Sequence, residues 1–167
     1  MFEPASSGRR ADTEEGAMNW DLMDYIVAGG LVGVLVALAF VVILRGPNLF
    51  YMAGAGLAAL TGFVMIWASL AVGIIGAEGD AANLMFAGVL VIAVLGALWS
   101  RFRSAGMARA MFAAMLAQLL AGGVALAAGW GADSARWPFD VLAATAVLAV
   151  MWLVSSWLFR ASAWKQG

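Results

Sequence analysis

The chain has 167 residues, is 65% hydrophobic and 11% charged, and carries a formal charge of −1. Its mean hydropathy is +0.95, more apolar surface than a water-soluble core absorbs, since soluble domains carry about a quarter charged residues. With neither cysteine nor histidine, it has no disulfide, thiol nucleophile, Fe–S cluster, imidazole base or histidine-ligated haem or zinc.

Residues 1–19, "MFEPASSGRRADTEEGAMN", are polar and read as a disordered tail. Met18 opens "MNWDLMDY" and is a second candidate start. A spanning helix needs about 20 mostly apolar residues. Five charge-free stretches meet that length or come close to it: 25–44, 49–76, 84–100, 110–130 and 141–159. The first is not read as a signal peptide, because it lacks a basic leading region and a further span follows it directly.

The joints between spans are read from their chemistry. "RGPN" (45–48) joins Arg, Gly and Pro, which stop a helix and turn the chain. "AEGDAAN" (77–83) and "RFRSAGMAR" (101–109) carry charge, and "GADSARWPFD" (131–140) holds Gly, Pro, acids and an Arg. Pro138 suits the N-terminal approach to the last helix. The expected fold is all-α: a polytopic membrane protein of five transmembrane helices in a compact bundle. Residues 20–160 form that domain, and 161–167 a short tail.

Orientation follows the basic residues at the span ends. With five spans, Arg45, Arg101, Arg103, Arg109, Arg160 and Lys165 fall on one side, without an acidic residue. The N-terminal tail, Glu78, Asp80, Asp133, Arg136 and Asp140 fall on the other. The N-terminus is therefore expected outside and the C-terminus in the cytoplasm, with the protein in a bacterial cytoplasmic (inner) membrane. Most tryptophans lie near span ends, where amphipathic rings favour the headgroup level. Trp67 and Trp152 lie deeper and read as packing or lipid-facing groups.

Small residues recur three or four apart in "GGLVG" (29–33), "GAGLAALTG" (54–62), "GIIG" (73–76) and "AGGVALAAG" (121–129). That spacing lets helix backbones approach closely in lipid. It serves packing within the bundle, self-association or docking of another membrane protein. Gln118 is the one strongly polar side chain near the middle of a span and is expected to bond a neighbouring helix. Thr61, Ser69 and Thr145 are weaker candidates that can bond their own helices. No charge lies inside a span, which counts against proton-coupled transport and ion pumping. Arg101, Arg103 and Arg109 make one turn basic, through topology and attraction to lipid phosphate. Nucleic-acid binding is not expected.

"GIIGAEGDAANLMF" (73–86) holds the acids Glu78 and Asp80. Asp80 can cap the following helix near Asn83, whereas Glu78 sits at a helix C-terminus, the less favourable end for its charge. Glu78, Asp80 and Asn83 are thus a candidate functional site or a structural turn. A hard-cation site would need more oxygens than this loop offers, so neither a metal nor a cofactor is assigned, and no catalytic residue.

"LAVGIIGAEGDAANLMF" (70–86), "RFRSAGMARAMF" (101–112) and "WLVSSWLFRA" (152–161) resemble blocks of a family of small, uncharacterised five-span bacterial integral membrane proteins. That family's pattern has a Ser-Glu-Asp-Asn-Pro core ahead of Ala-Asn-Leu-Met. Glu78 and "ANLM" (82–85) match it, while Ala77, Gly79, Asp80 and Ala81 depart. The resemblance implies no activity, but it makes Glu78 and Asn83 part of a common pattern. Three functions stay open: a non-catalytic accessory or interaction subunit of a membrane complex, a carrier, channel or binder of a small apolar molecule (lipid, quinone or porphyrin), or an interfacial enzyme using Glu78, Asp80 and Asn83.

Overall fold

The structure is a computed structural model that describes residues 46–71, 84–132 and 136–166, together with Gly29, Gly33 and Phe40. Its elements are four helices: α1 (Leu49–Ala71), α2 (Leu84–Trp99), α3 (Ser104–Ala127) and α4 (Phe139–Trp164). Among the described residues the fold is all-helical. All the packing below lies within one compact unit, residues 35–167.

Each boundary has a local cause. Gly46, Pro47 and Asn48 break the chain ahead of α1, and the Asn48 side-chain Oδ1 caps that helix by accepting the Tyr51 N–H at 3.0 Å. Pro138 occupies the N-cap of α4. Helix α2 ends where the Phe102 N–H bonds the Ala97 carbonyl and the Arg101 N–H bonds the Leu98 carbonyl, a Schellman closure. The end of α3 repeats it, with the Trp130 N–H on Ala125 and the Gly129 N–H on Leu126.

Three helices are long and apolar enough to cross a membrane: Leu49–Ala68, Ser104–Ala127 and Phe139–Trp164. The expectation of five spans is met only in part. Helix α2 has 16 residues, about 24 Å at 1.5 Å per residue against a hydrocarbon core of about 30 Å. The expected span 25–44 lies outside the described residues but for Gly29, Gly33 and Phe40, and the stretch 72–83 lies outside them entirely. The span expected at 110–130 begins at Ser104, and the one expected at 141–159 continues to Trp164. Charge was taken to end those spans, yet Arg109 and Arg160 sit within regular helix. A long arginine side chain can carry its charge out of the apolar layer while its backbone stays helical. The connection between α2 and α3 is therefore only residues 100–103.

The helices neighbour one another in the order α1, α4, α3, α2, and α1 meets α2 only narrowly. Their faces are arranged for lipid. Helix α3 buries Ser104, Ala108, Ala110, Ala114, Gln118, Ala121, Gly122 and Ala125 together with Met107, Met111 and Met115, and exposes Phe112, Leu116, Leu119, Leu120 and Val124. Helix α4 buries Thr145, Ser155, Ser156 and Ser162 together with Val141, Leu148, Trp152 and Phe159 and exposes Val147, Val150, Leu153, Val154 and Trp157. A soluble helix turns its large apolar side chains inward. Here the outer faces are large and apolar too, while small and polar residues are interleaved with the buried Met, Leu, Trp and Phe side chains, which suits helices packed in a bilayer.

Close approach uses the predicted Gly54 and Gly122, and also Gly96, which lies outside the predicted stretches. A Cβ at Gly54 of α1 would meet Leu158 Cβ at 3.2 Å and the Ser155 carbonyl at 3.3 Å, and one at Gly96 of α2 would meet Ala110 Cβ at 2.6 Å. A Cβ at Gly122 of α3 would overlap the Thr145 side chain of α4. Gly56, Gly88 and Gly123, by contrast, have nothing among the described residues within 4 Å of a Cβ. The glycine pattern thus divides between packing inside this unit and open helix surface.

Candidate functional site

The adjacent serines of α4 send their hydroxyls to different neighbours. Ser155 Oγ donates to the Gly54 carbonyl of α1 at 2.8 Å, and Ser156 Oγ donates to the Ala108 carbonyl of α3 at 2.7 Å. Consecutive residues on a helix point about 100° apart, so two hydroxyls in a row tie α4 to both sides. Toward its C-terminal end, Ser162 Oγ meets Ser104 Oγ at 3.2 Å. Gln166 Nε2 donates to Ser104 Oγ at 2.8 Å and to Ser162 Oγ at 3.1 Å. Asn48 Nδ2 reaches the Ser162 carbonyl at 3.3 Å, and the Tyr51 hydroxyl donates to the Phe102 carbonyl at 2.8 Å. This one end of the unit therefore joins α1, α3, α4 and the α2–α3 turn through side-chain hydrogen bonds.

The middle of the α3–α4 contact is different. Gln118 is fully buried, Trp152 is 2% exposed and Thr145 is 8% exposed. Gln118 Nε2 and Oε1, the Thr145 hydroxyl and the Trp152 Nε1 have no hydrogen-bond partner among the described residues. The pairings of Ser104 with Ser162, Ala108 with Ser156 and Gly122 with Thr145 set an antiparallel register. In that register Gln118 stands near Leu148 and Ala149, which offer no polar side chain. The expected bond from Gln118 to a neighbouring helix is not made among the described residues. Thr145 and Trp152 lie on either side of that level, about 10 Å apart along α4. Amide and indole N–H groups can hold a neutral acceptor such as a carbonyl oxygen. None of the three can serve as an acid or base near neutral pH.

At the hydrogen-bonded end a polar and apolar pocket of about 520 Å³ opens between Pro47 and Tyr51, the Phe102–Ala105 segment, and Ala163 and Gln166. Arg103 lines it, and this residue is also the N-cap of α3, without a side-chain cap bond. Arg101 and Phe102 both take positive φ, 50° and 60°, which turns the chain sharply under the pocket. Lys165 Nζ lies 4.5 Å from the Phe50 ring centroid, a cation–π distance. Arg109 is exposed, its Nε donating to the Ala105 carbonyl at 3.3 Å.

Other predicted residues are placed as follows. Thr61 bonds its own helix, donating to the Leu57 carbonyl at 2.7 Å. Trp152 is a packing residue, whereas Trp67 is half exposed on α1 and stacks beside Phe63 at 6.0 Å. Gln118 and Trp67 are thus not brought together. Glu78, Asp80 and Asn83 lie outside the described residues. Among the described residues no group of His, Cys, Asp or Glu is placed to hold a metal ion.

An apolar groove of about 570 Å³ runs along the outer face of α3, lined by Leu116, Leu119, Leu120, Gly123, Val124 and Ala127. The chain matches no protein family, no curated protein and no solved structure. Its function must therefore be argued from these features. The serine ties, Asn48 and Gln166 were not singled out from sequence, although the pair "SS" (155–156) inside an apolar helix was a legible signal for them. Nothing in the sequence marked Trp152 as a polar group left without a partner.

Proposed function

We propose that the chain is a non-catalytic accessory or interaction subunit of a membrane complex, multi-pass in a bacterial cytoplasmic membrane. The observation that carries this reading is the exposed face of α3, where Gly123 forms a notch with no neighbour among the described residues in a groove walled by leucines and a valine. Helices associate in lipid by close van der Waals packing against small residues, and this groove has the form of a seat for another helix. The five-span count, the outside N-terminus and the resemblance to the small five-span family belong to the same proposal. They are supported by the side-by-side segregation of basic and acidic joints. Purification of the full chain in mild detergent, followed by mass spectrometry, tests it. A stoichiometric membrane partner, or a dimer, that is lost in Gly123→Leu supports the proposal. A chain that runs alone in both forms overturns it.

The unpartnered Gln118, Thr145 and Trp152 groups favour a second reading, a binder of a small apolar molecule with a carbonyl, such as a quinone or lipid. Solvent extraction of the purified protein would then yield such a molecule from wild type and not from Gln118→Leu. An empty extract from wild type removes this alternative.

A further inference from the structure

Helices α3 and α4 have 24 and 26 residues, about 36 and 39 Å, so each exceeds a hydrocarbon core of about 30 Å. The pocket of about 520 Å³ lies at the start of α3 and the end of α4, where that excess length reaches headgroup depth. Trp99 and Trp164, 92% and 74% exposed, flank the same end, as interfacial tryptophans do. Every described charged side chain there is cationic. Among the described residues the one carboxylate is Asp140, at the opposite end of α4.

The pocket combines the features a phosphodiester with a lipid attached would require. Arg103 brings a guanidinium, which matches phosphate oxygens with paired N–H donors. The first turn of α3 adds backbone N–H groups with favourable dipole sign. Pro47 and Phe102 line the pocket beside them, apolar residues suited to the glycerol and upper acyl chain. The Ser104–Ser162–Gln166 hydrogen bonds fix the floor, so binding need not order it. We propose that this pocket holds the phosphate headgroup of an anionic phospholipid, with Arg103 as its principal ligand.

The proposal rests on the membrane reading above but not on the α3 groove, and the two fail separately. Native mass spectrometry of the full chain in mild detergent, with phosphatidylglycerol or phosphatidylcholine added, tests it. Wild type should retain one phosphatidylglycerol about tenfold more strongly than phosphatidylcholine, as expected for a charge-assisted contact. Arg103→Gln should lose that preference and Arg103→Lys should keep part of it. Arg109→Gln, on the same end but outside the pocket, should retain it. Unfolding temperatures of the variants, measured alongside, confirm that each is folded. Equal retention of the two lipids, or equal loss in Arg103→Gln and Arg109→Gln, overturns the proposal. So does displacement of the lipid by millimolar inorganic phosphate, which would make free phosphate the ligand.

Discussion

Arg101 and Gly129 hold the same position in two copies of one helix ending. Each is the left-handed residue that closes a Schellman motif, with φ of 50° and 67°. Glycine accepts that conformation without cost, while an L side chain pays about 1–2 kcal/mol. Arg101→Gly should therefore raise stability by about 0.5–1 kcal/mol, allowing for the freer unfolded chain that glycine brings. Thermal unfolding in detergent reads this directly, and a lower midpoint would mean that the Arg101 side chain makes contacts worth more than the backbone strain. Gln118 is a second case of local cost. A buried amide with neither donor nor acceptor satisfied costs about 1–3 kcal/mol, so Gln118→Leu should leave the protein as stable or more stable. A clear loss of stability would show that the amide is satisfied in the folded protein. Gly46 and Pro47 were readable as turn residues from composition alone, whereas Gly129 was read as a packing residue inside the span 110–130. The left-handed Arg101 and Phe102 were not readable, because no residue-type rule signals them.

Between α3 and α4 the adjacent glycines 122 and 123 make a controlled comparison. A methyl group at 122 would overlap Thr145, whereas one at 123 meets open space. Gly122→Ala should therefore cost about 1–3 kcal/mol by forcing the helices apart, while Gly123→Ala should change stability by no more than about 0.5 kcal/mol. Equal effects in denaturant unfolding would contradict the register inferred for this pair. The serine ties are weaker. Ser155→Ala and Ser156→Ala should each cost about 0.6 kcal/mol, the typical value of a hydrogen bond between membrane helices. The helices themselves were legible because their apolar runs are long and their breakers are Gly and Pro. The start of α3 and the end of α4 were less so, since a rule that stops a span at its first charge cannot see that Arg109 and Arg160 remain in helix. Which glycines pack and which stay open was not legible at all, because both kinds share one spacing and only the neighbouring helix distinguishes them.

At the scale of the whole molecule, the proposed orientation rests on charge. Helix α4 runs from Asp140 in its first turn to Lys165 at its C-cap, with Arg160 in its last helical turns. Of the other described basic residues near helix ends, Arg101, Arg103 and Arg109 sit with Arg160 and Lys165 at the end where α2 finishes and α3 begins, and only Arg136 precedes α4 at the other end. A concentration of basic residues holds its side of a membrane protein in the cytoplasm, since Lys and Arg near span ends resist translocation. The chain has no cysteine, so single cysteines report position without background. Ala132→Cys, in the exposed turn between α3 and α4, should react with a membrane-impermeant maleimide on intact cells. Lys165→Cys should react only after the membrane is opened. Labelling of both on intact cells would mean that α4 does not cross, and the inverse pattern would reverse the orientation and place the phosphate pocket in the outer leaflet.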